Sequence, residues 1–325
     1  LITRSRNVLI MGHKNSDLDS FGASLAAARI VENLGKKANI VIDYESLEEK
    51  TKGVVEMLRS NPDYKGLMLT ISEALEKTNK DTLLICVDNH KDSLAISRSV
   101  LDKVKNKVII DHHRRSEEFI SSPVLTYLEP SASSTVELLV ELFDYQQHDI
   151  EISSLDATIM FTGMLVDTNY FRQHVGTRTF QSAAKLKEAQ ADLALAYELL
   201  EDSFECMKEI FDITESAYRY KDKFLIATGK DEELSRSTLA KAANQLVYVS
   251  GIYAAFAIGY ISKNTVAISA RSSKKVNVQM IMENDALHGG GHFSMAACQI
   301  ENVTIEEAKE RLEHAIDAYL EDRGV

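Results

Sequence analysis

Thiolate clusters, an excess of basic side chains, a membrane-length apolar run and internal repeats are all missing from this 325-residue chain. Its three cysteines, Cys86, Cys206 and Cys298, are odd in number and far apart, without the spacing of a metal finger or a redox pair. They read as reduced core thiols, which suits an intracellular setting. With 37 Lys and Arg against 49 Asp and Glu the formal charge is −12, the opposite of what broad binding to duplex nucleic acid requires. That balance leaves open a small anionic substrate entering a locally positive pocket. The most apolar stretch, residues 247–261, is shorter than the roughly 20 residues of a spanning helix and contains Gly251 and Gly259. It reads as a buried strand. No secretory leader is visible. The chain opens on Leu1, so it is expected to be an excised part of a longer protein, with membrane or sensory domains upstream. What is present, 45% hydrophobic and 26% charged residues, is ordinary for a globular protein with core enough for two domains.

Hydrophobic periodicity gives an α/β order. Residues 7–11 predict a strand and 20–34 a helix, with Asp19 or Ser20 as N-cap and Gly35 as its stop. A strand follows over 38–43, then helices over 48–59 and 72–77 separated by Asn61-Pro62, a strand over 82–87, a helix over 93–104 and a strand over 107–110. This alternation implies a mainly parallel sheet with helices on both faces. After a strand-like piece at 124–128, Ser131-Ala132-Ser133-Ser134-Thr135 leads into a helix over 136–143, and Ser153 caps the segment carrying Asp167. Residues 177–191 and 193–220 are helix-rich; 223–228 is a strand, 237–246 a helix, 252–261 and 265–271 a hairpin, and 305–320 an amphipathic helix. The expected division is a metal-binding catalytic domain over 1–190, a helical connector over 191–222 and a smaller mixed α/β domain over 223–325.

The polar residues that follow the apolar runs carry the chemistry. Asp111-His112-His113 follows Val108-Ile109-Ile110, His13-Lys14-Asn15-Ser16-Asp17-Leu18-Asp19 follows residues 8–11, Asp88-Asn89-His90 follows 83–87, and Asp167 ends the apolar segment 159–166. Open α/β sheets place ligands at such strand ends. Asp17, Asp19, Asp88 and Asp167 converging in one cleft would repel one another and exclude a phosphate, whereas two divalent cations would cancel their charge. With His13 and His112 they form an oxygen and nitrogen donor set without thiolate, suited to manganese, with magnesium or cobalt as substitutes and zinc less apt. Two such ions serve in-line displacement at phosphorus. Six ligands fill two sites only if one is shared, and Asp88 is the candidate bridge. Asp111 reads as an acceptor orienting a ligand histidine, and His90 receives no role. Arg114 and Arg115 are either a solvated pair or an attraction for substrate. Residues 131–135 read as a helix cap, with phosphate contact at the helix N-terminus as the other reading.

Toward the C-terminus, Gly289-Gly290-Gly291-His292 is either a flexible turn or a loop whose backbone approaches a phosphate or base. Arg271-Ser272 at a strand end favours the binding reading, since Arg engages phosphate bidentately. Lys274 and Lys275 read as a solvated turn. The smaller domain is expected to close over the cleft on a dinucleotide rather than on inorganic pyrophosphate.

His13/Asp17/Asp19, Asp88, Asp111-His112-His113 and Asp167 resemble the four motifs of the DHH phosphoesterase superfamily, and Gly289-Gly290-Gly291-His292 resembles the signature of its associated C-terminal domain. The likeness covers nearly the whole chain, and the wording of the first and third motifs is most similar to the cyclic-di-AMP phosphodiesterase branch. The resemblance implies two manganese ions, one on His13, Asp17 and Asp88 and the other on Asp19, Asp88, His112 and Asp167. His113 would face the phosphate, forming the catalytic set with Asp88 and Asp111; Arg271, Ser272, Gly289, Gly290, Gly291 and His292 would bind substrate. It further implies opening of cyclic di-AMP to linear 5′-pApA in a homodimeric cytoplasmic domain of a membrane-anchored bacterial protein. Hydrolysis of linear di-adenylate or 3′,5′-bisphosphate nucleotides to mononucleotides is the alternative activity, and a silent nucleotide sensor is disfavoured because all six ligands are present. One departure stands out: many members have Pro-Asp-Gly-Asp where this chain has Ser16-Asp17-Leu18-Asp19, which keeps the ligand spacing but alters the loop.

Overall fold

The structure, a computed structural model, describes residues 1–273 and 275–322, so Lys274 lies outside the described residues. It divides into two units, Leu1–Glu201 and Asp202–Val325.

In the first unit six strands, β1 (Asn7–Met11), β2 (Ala38–Ile42), β3 (Met68–Thr70), β4 (Thr82–Val87), β5 (Asn106–Asp111) and β6 (Leu125–Leu128), form a sheet in the order β3-β2-β1-β4-β5-β6. Every neighbouring pair is parallel. Helices α1 (Leu18–Asn33), α2 (Glu49–Arg59), α3 (Ile71–Lys77), α4 (Arg98–Lys103), α5 (Thr135–Leu142), α6 (Ser154–Asp167), α7 (Thr177–Glu188) and α8 (Leu193–Glu198) accompany it. Side chains alternate across the strands, so Val8, Ile10, Ile85 and Ile110 share one core with Leu25, Val136 and Met160 of α1, α5 and α6. Leu9, Met11, Leu84 and Ile109 face a second core with Ala74, Val100 and Leu101 of α3 and α4. Burial on both faces explains why these strands read as unbroken apolar runs. The strand order reverses between β1 and β4, and there an open parallel sheet leaves a crevice at its carboxyl edge.

Two local expectations change. The N-cap of α1 is Asp17, which accepts from Ser20 N at 2.9 Å; Asp19 and Ser20 lie inside the first turn. The helix expected over 93–104 begins only at Arg98, capped by Ser97, because residues before it pair with the loop after β1: Lys14 N donates to Leu94 O and His13 bridges Ala95.

The second unit contains α9 (Phe204–Glu215), β7 (Tyr218–Tyr220), β8 (Phe224–Glu233), α10 (Arg236–Val247), β9 (Ala254–Ser262), β10 (Thr265–Ser272), α11 (Val278–Met282), β11 (Gly290–Gly291), β12 (Met295–Glu301) and α12 (Ile305–Glu321). Its mixed sheet runs β11-β12-β10-β9-β8-β7, with β8 and β9 parallel and the expected β9–β10 hairpin antiparallel. Residues 191–222 divide between the units, α8 going with the first and α9 and β7 with the second. The stretch 247–261 is only partly strand: Val247 ends α10, and β9 starts at Ala254. Cys86 and Cys298 are buried as expected, but Cys206 is half-buried on α9; all three are free thiols. Among the described residues no helix is long and apolar enough to cross a membrane.

Candidate metal centre

The ends of β1, β4 and β5 lie side by side at the crevice, and the side chains that follow them converge. His13 Nδ1 lies 2.7 Å from Lys14 O. A carbonyl only accepts, so Nδ1 carries the hydrogen and Nε2 is turned toward the acids, 3.2 Å from Asp88 Oδ2 and 3.9 Å from Asp17 Oδ1. His112 is oriented alike: Nδ1 is 3.4 Å from Ala132 O, and Nε2 lies 3.0 Å from Asp167 Oδ2 and 3.6 Å from Asp88 Oδ1. That Nε2 is buried and makes no hydrogen bond of acceptable geometry. Holding one ring nitrogen on an acceptor while the other faces carboxylates is how ligand histidines are commonly set. Asp88, immediately after β4, has φ of 56°, a left-handed conformation that Asp adopts more readily than bulkier residues.

Helix α5 holds two of the acids. Ser134 caps it, while Thr135 N and Val136 N donate to the two oxygens of Asp19 at 2.8 and 3.1 Å. Both readings of residues 131–135 therefore meet here: the segment is a cap, and its amides hold an anion, but that anion is the carboxylate of Asp19. Thr135 Oγ1 donates to Asp88 Oδ1 at 2.9 Å. Helix α6 brings the remaining acid, because Gly163 lets it touch α1 backbone to backbone; a Cβ there would stand 2.6 Å from Leu18 O and 2.9 Å from Asp19 Cα. Asp167 consequently lies beside Asp19 at the carboxyl end of α6, where the helix dipole adds negative potential.

Among the described residues three sets each bring their donor atoms within 4.8 Å of one another: His13, Asp17 and Asp88; Asp88, His112 and His113; Asp19, His112 and Asp167. Burial and the neighbouring carboxylates push Asp17 up to about 7 and Asp19 well above the usual carboxylate range. Burial opposes charge on the histidines too, but their acidic partners outweigh it and hold His13 at about 10 and His112 at about 11. Asp88 stays low despite its burial because His13, His112 and His113 surround it. Protons on imidazoles thus stand where cations would in the metal-free chain. An oxygen-rich set with two imidazoles, an orphaned His112 Nε2 and crowded carboxylates fits divalent cations.

Asp111 is fully buried at the end of β5, and both of its oxygens are taken up by histidines. Its Oδ1 accepts from His113 N at 3.0 Å and lies 2.7 Å from His113 Nδ1, while His90 Nδ1 contacts Oδ2. The histidine it contacts beside the cluster is His113, not the ligand candidate His112. Arg114 and Arg115 are exposed, and Arg115 lies over the Phe119 ring.

The expected substrate residues all lie in the second unit. Arg271 Nε donates to Asn244 Oδ1 at 3.0 Å and its Nη1 to Ala270 O at 2.9 Å, and burial lowers its pKa. Ser272 is buried, its N–H on Ser294 O. The close backbone approach made by the glycine run is to β12. A Cβ on Gly289 would stand 2.5 Å from Ala297 O, and one on Gly291 (φ 149°) 2.5 Å from Ala296 Cα. Gly290 alone faces open space. His292 is exposed, its N–H closing a turn onto Met295 O at 2.7 Å.

The comparisons agree with this architecture. The chain is 39% identical over 324 residues to the cyclic-di-AMP phosphodiesterase GdpP of Bacillus subtilis, covering 99% of this chain and 49% of that protein. It spans about half the length of the curated relatives it matches. The crystal structure of an exopolyphosphatase-related protein from Bacteroides fragilis shares the fold with a TM-score of 0.80 at 20% identity, over 98% of this chain and 94% of that one. RecJ from Thermus thermophilus in complex with Mn2+ aligns with a TM-score of 0.55 at 14% identity, over 97% of this chain and 52% of that one. With the DHH family N-terminal domain matched over residues 7–164, where every clustered acid and histidine but Asp167 falls, and the DHHA1 domain over 221–322, the chain belongs to the DHH family its motifs resemble.

Proposed function

We propose that this chain is a manganese-dependent phosphodiesterase that opens cyclic di-AMP to linear 5′-pApA. The observation that carries the reading is the position of Asp88, whose Oδ2 lies 3.2 Å from His13 Nε2 and whose Oδ1 lies 3.6 Å from His112 Nε2. One carboxylate with an oxygen toward each imidazole is what a shared ligand between two ions requires. His13, Asp17 and Asp88 would hold one ion; Asp19, Asp88, His112 and Asp167 would hold the other. Bound manganese would polarise the phosphoryl oxygens and lower the pKa of a bound water. Asp19 can serve while hydrogen-bonded to α5, since a carboxylate has about four acceptor positions. His113, with Nδ1 on Asp111, presents Nε2 to the phosphate. Magnesium or cobalt are substitutes with the same preference for oxygen and nitrogen.

In the DHHA1 domain Gly290, which faces open space, and the exposed His292 would meet the dinucleotide together with Arg271 and Ser272, while Gly289 and Gly291 shape the strand against β12. The substrate assignment rests on the named relative and on the wording of the motifs. A homodimeric cytoplasmic domain of a membrane-anchored bacterial protein is the setting that goes with it. The test is incubation with cyclic di-AMP and manganese followed by chromatography of the products. Linear pApA that accumulates first and disappears with chelator is expected. Turnover confined to linear pApA or bisphosphate nucleotides, with cyclic di-AMP intact, would replace this reading by its alternative.

A further inference from the structure

We propose that His90 is the positioning residue for His113, acting through the buried carboxylate of Asp111; the inference rests on the reaction proposed above. Ser116 N donates to His90 Nε2 at 3.2 Å. A backbone amide can only donate, so Nε2 supplies the lone pair and the ring hydrogen sits on Nδ1. From there it is given to Asp111 Oδ2. The other oxygen, Oδ1, takes His113 N at 3.0 Å and faces His113 Nδ1 at 2.7 Å. A carboxylate accepts only, so His113 Nδ1 donates and its Nε2 is left for substrate.

The inner end of this chain is buried and the outer end is exposed. His90 and Asp111 are 1% and 0% exposed, and the His90 ring packs 5.2 Å from that of Phe119. The His113 side chain, by contrast, is 51% exposed. Without His90, Asp111 Oδ2 loses its buried donor, and rotation of the carboxylate about χ2 is then fixed only from the His113 side, through Oδ1. Among the described residues, the other neighbours of the His113 ring are the candidate ligands His112, whose ring centroid lies 4.5 Å away, and Asp88, 3.5 Å from Nδ1. His90 belongs to none of the candidate ligand groups, so its effect should fall on the chemical step and spare metal binding.

Two variants separate the ring's two contacts. His90→Asn places an amide donor where Nδ1 lies and keeps the bond to Asp111; His90→Gln places its amide where Nε2 lies and abandons that bond. With manganese and cyclic di-AMP, His90→Gln should lower kcat by about 10- to 100-fold while KM stays within about twofold and metal content by elemental analysis is unchanged. His90→Asn should keep kcat within about threefold of the parent. In the diamagnetic magnesium-loaded chain without substrate, the Nδ1–H resonance of His113 should persist in the parent and in His90→Asn and vanish in His90→Gln. That resonance decides the positioning claim even if the parent fails to turn over cyclic di-AMP, an outcome that would count against the proposed function alone. Equal kcat in the two variants, a His113 resonance that neither change affects, an asparagine variant as slow as the glutamine one, or metal loss in place of a kcat effect would each overturn it.

Discussion

The hydroxyl of Thr135 donates to Asp88 Oδ1 at 2.9 Å while the backbone N–H of the same residue donates to Asp19 Oδ2 at 2.8 Å. The N-terminus of α5 therefore grips two acids delivered by different segments, one from the first turn of α1 and one from the end of β4. Amides at a helix start offer partial positive charge, which offsets part of the repulsion between these carboxylates before any cation arrives.

Thr135→Val keeps the branched shape and the amide bond to Asp19 but removes the hydroxyl from Asp88. A hydrogen bond to a charged group contributes about 1.5–3 kcal/mol, and loss of a partner to a metal ligand lowers metal affinity by about 10- to 100-fold. Calorimetric titration with manganese should show a loss in that range. An unchanged Kd would mean that Asp88 is placed by its backbone alone.

The pKa shifts predict how stability of the metal-free chain varies with pH. His13 and His112 are raised from 6.5 to about 10 and about 11, so their contribution is complete below pH 6.5 and is lost as pH rises through those values. Asp17, raised from 3.8 to about 7, acts in the same direction between those two values. Asp88 and Asp111, held below 3.8, act on the acid side, where their contribution fades as pH falls. In chelator, the melting temperature should therefore decline between about pH 6 and about pH 9. Metal replaces the imidazole protons, so magnesium should flatten that decline and bind more tightly as pH rises. A melting temperature that is flat over this range in chelator would show that the histidines are not paired with the acids.

The ligand candidates were legible because most of them follow an apolar run: a strand buried on both faces leaves a plain signature, and the chain must turn polar where it emerges. The strands of 7–11 and 82–87 coincide with β1 and β4 for that reason. β12 escaped notice because its inward residues, Ala296, Cys298 and Ile300, include only one β-branched side chain, a weak strand signal. The supporting contacts were invisible for another reason. Thr135 lies 47 residues from Asp88 and its amide acts on an acid 116 residues away, so nothing local marks it as more than part of a cap. His90, next to a motif acid, showed no partner until the fold brought Asp111 to it.

The glycine run illustrates how one pattern can serve two needs. Gly291→Val would drive its side chain into the backbone of Ala296 and is expected to lower stability by about 3 kcal/mol or more, with strain at its backbone angle adding to the clash. Gly290→Ala meets nothing within 4 Å. It should leave the melting temperature unchanged and, if this strand meets the nucleotide, raise KM for cyclic di-AMP. Thermal melts and steady-state kinetics on both variants separate packing from recognition. A Gly290 variant with unaltered KM would remove the loop from the substrate site.

Gly163 offers a test of how the second of the two proposed metal sites is assembled. In an isolated helix alanine is favoured over glycine by about 1 kcal/mol, so Gly163→Ala should stabilise α6 unless close approach to α1 prevents it. The added Cβ would stand 2.6 Å from Leu18 O and 2.9 Å from Asp19 Cα, both backbone atoms that cannot rotate aside. The helices must part, and overpacking of this kind costs about 1–3 kcal/mol, enough to outweigh the propensity gain. Movement of α6 away from α1 shifts Asp167 relative to Asp19, whereas none of His13, Asp17 and Asp88 is carried on α6. Manganese titration should therefore show one site weakened by about tenfold, the scale of losing support to a single ligand, and the other nearly unchanged. A variant that is more stable than the parent, or one in which both sites weaken equally, would show that the backbone contact between α1 and α6 does not set the distance between these two acids.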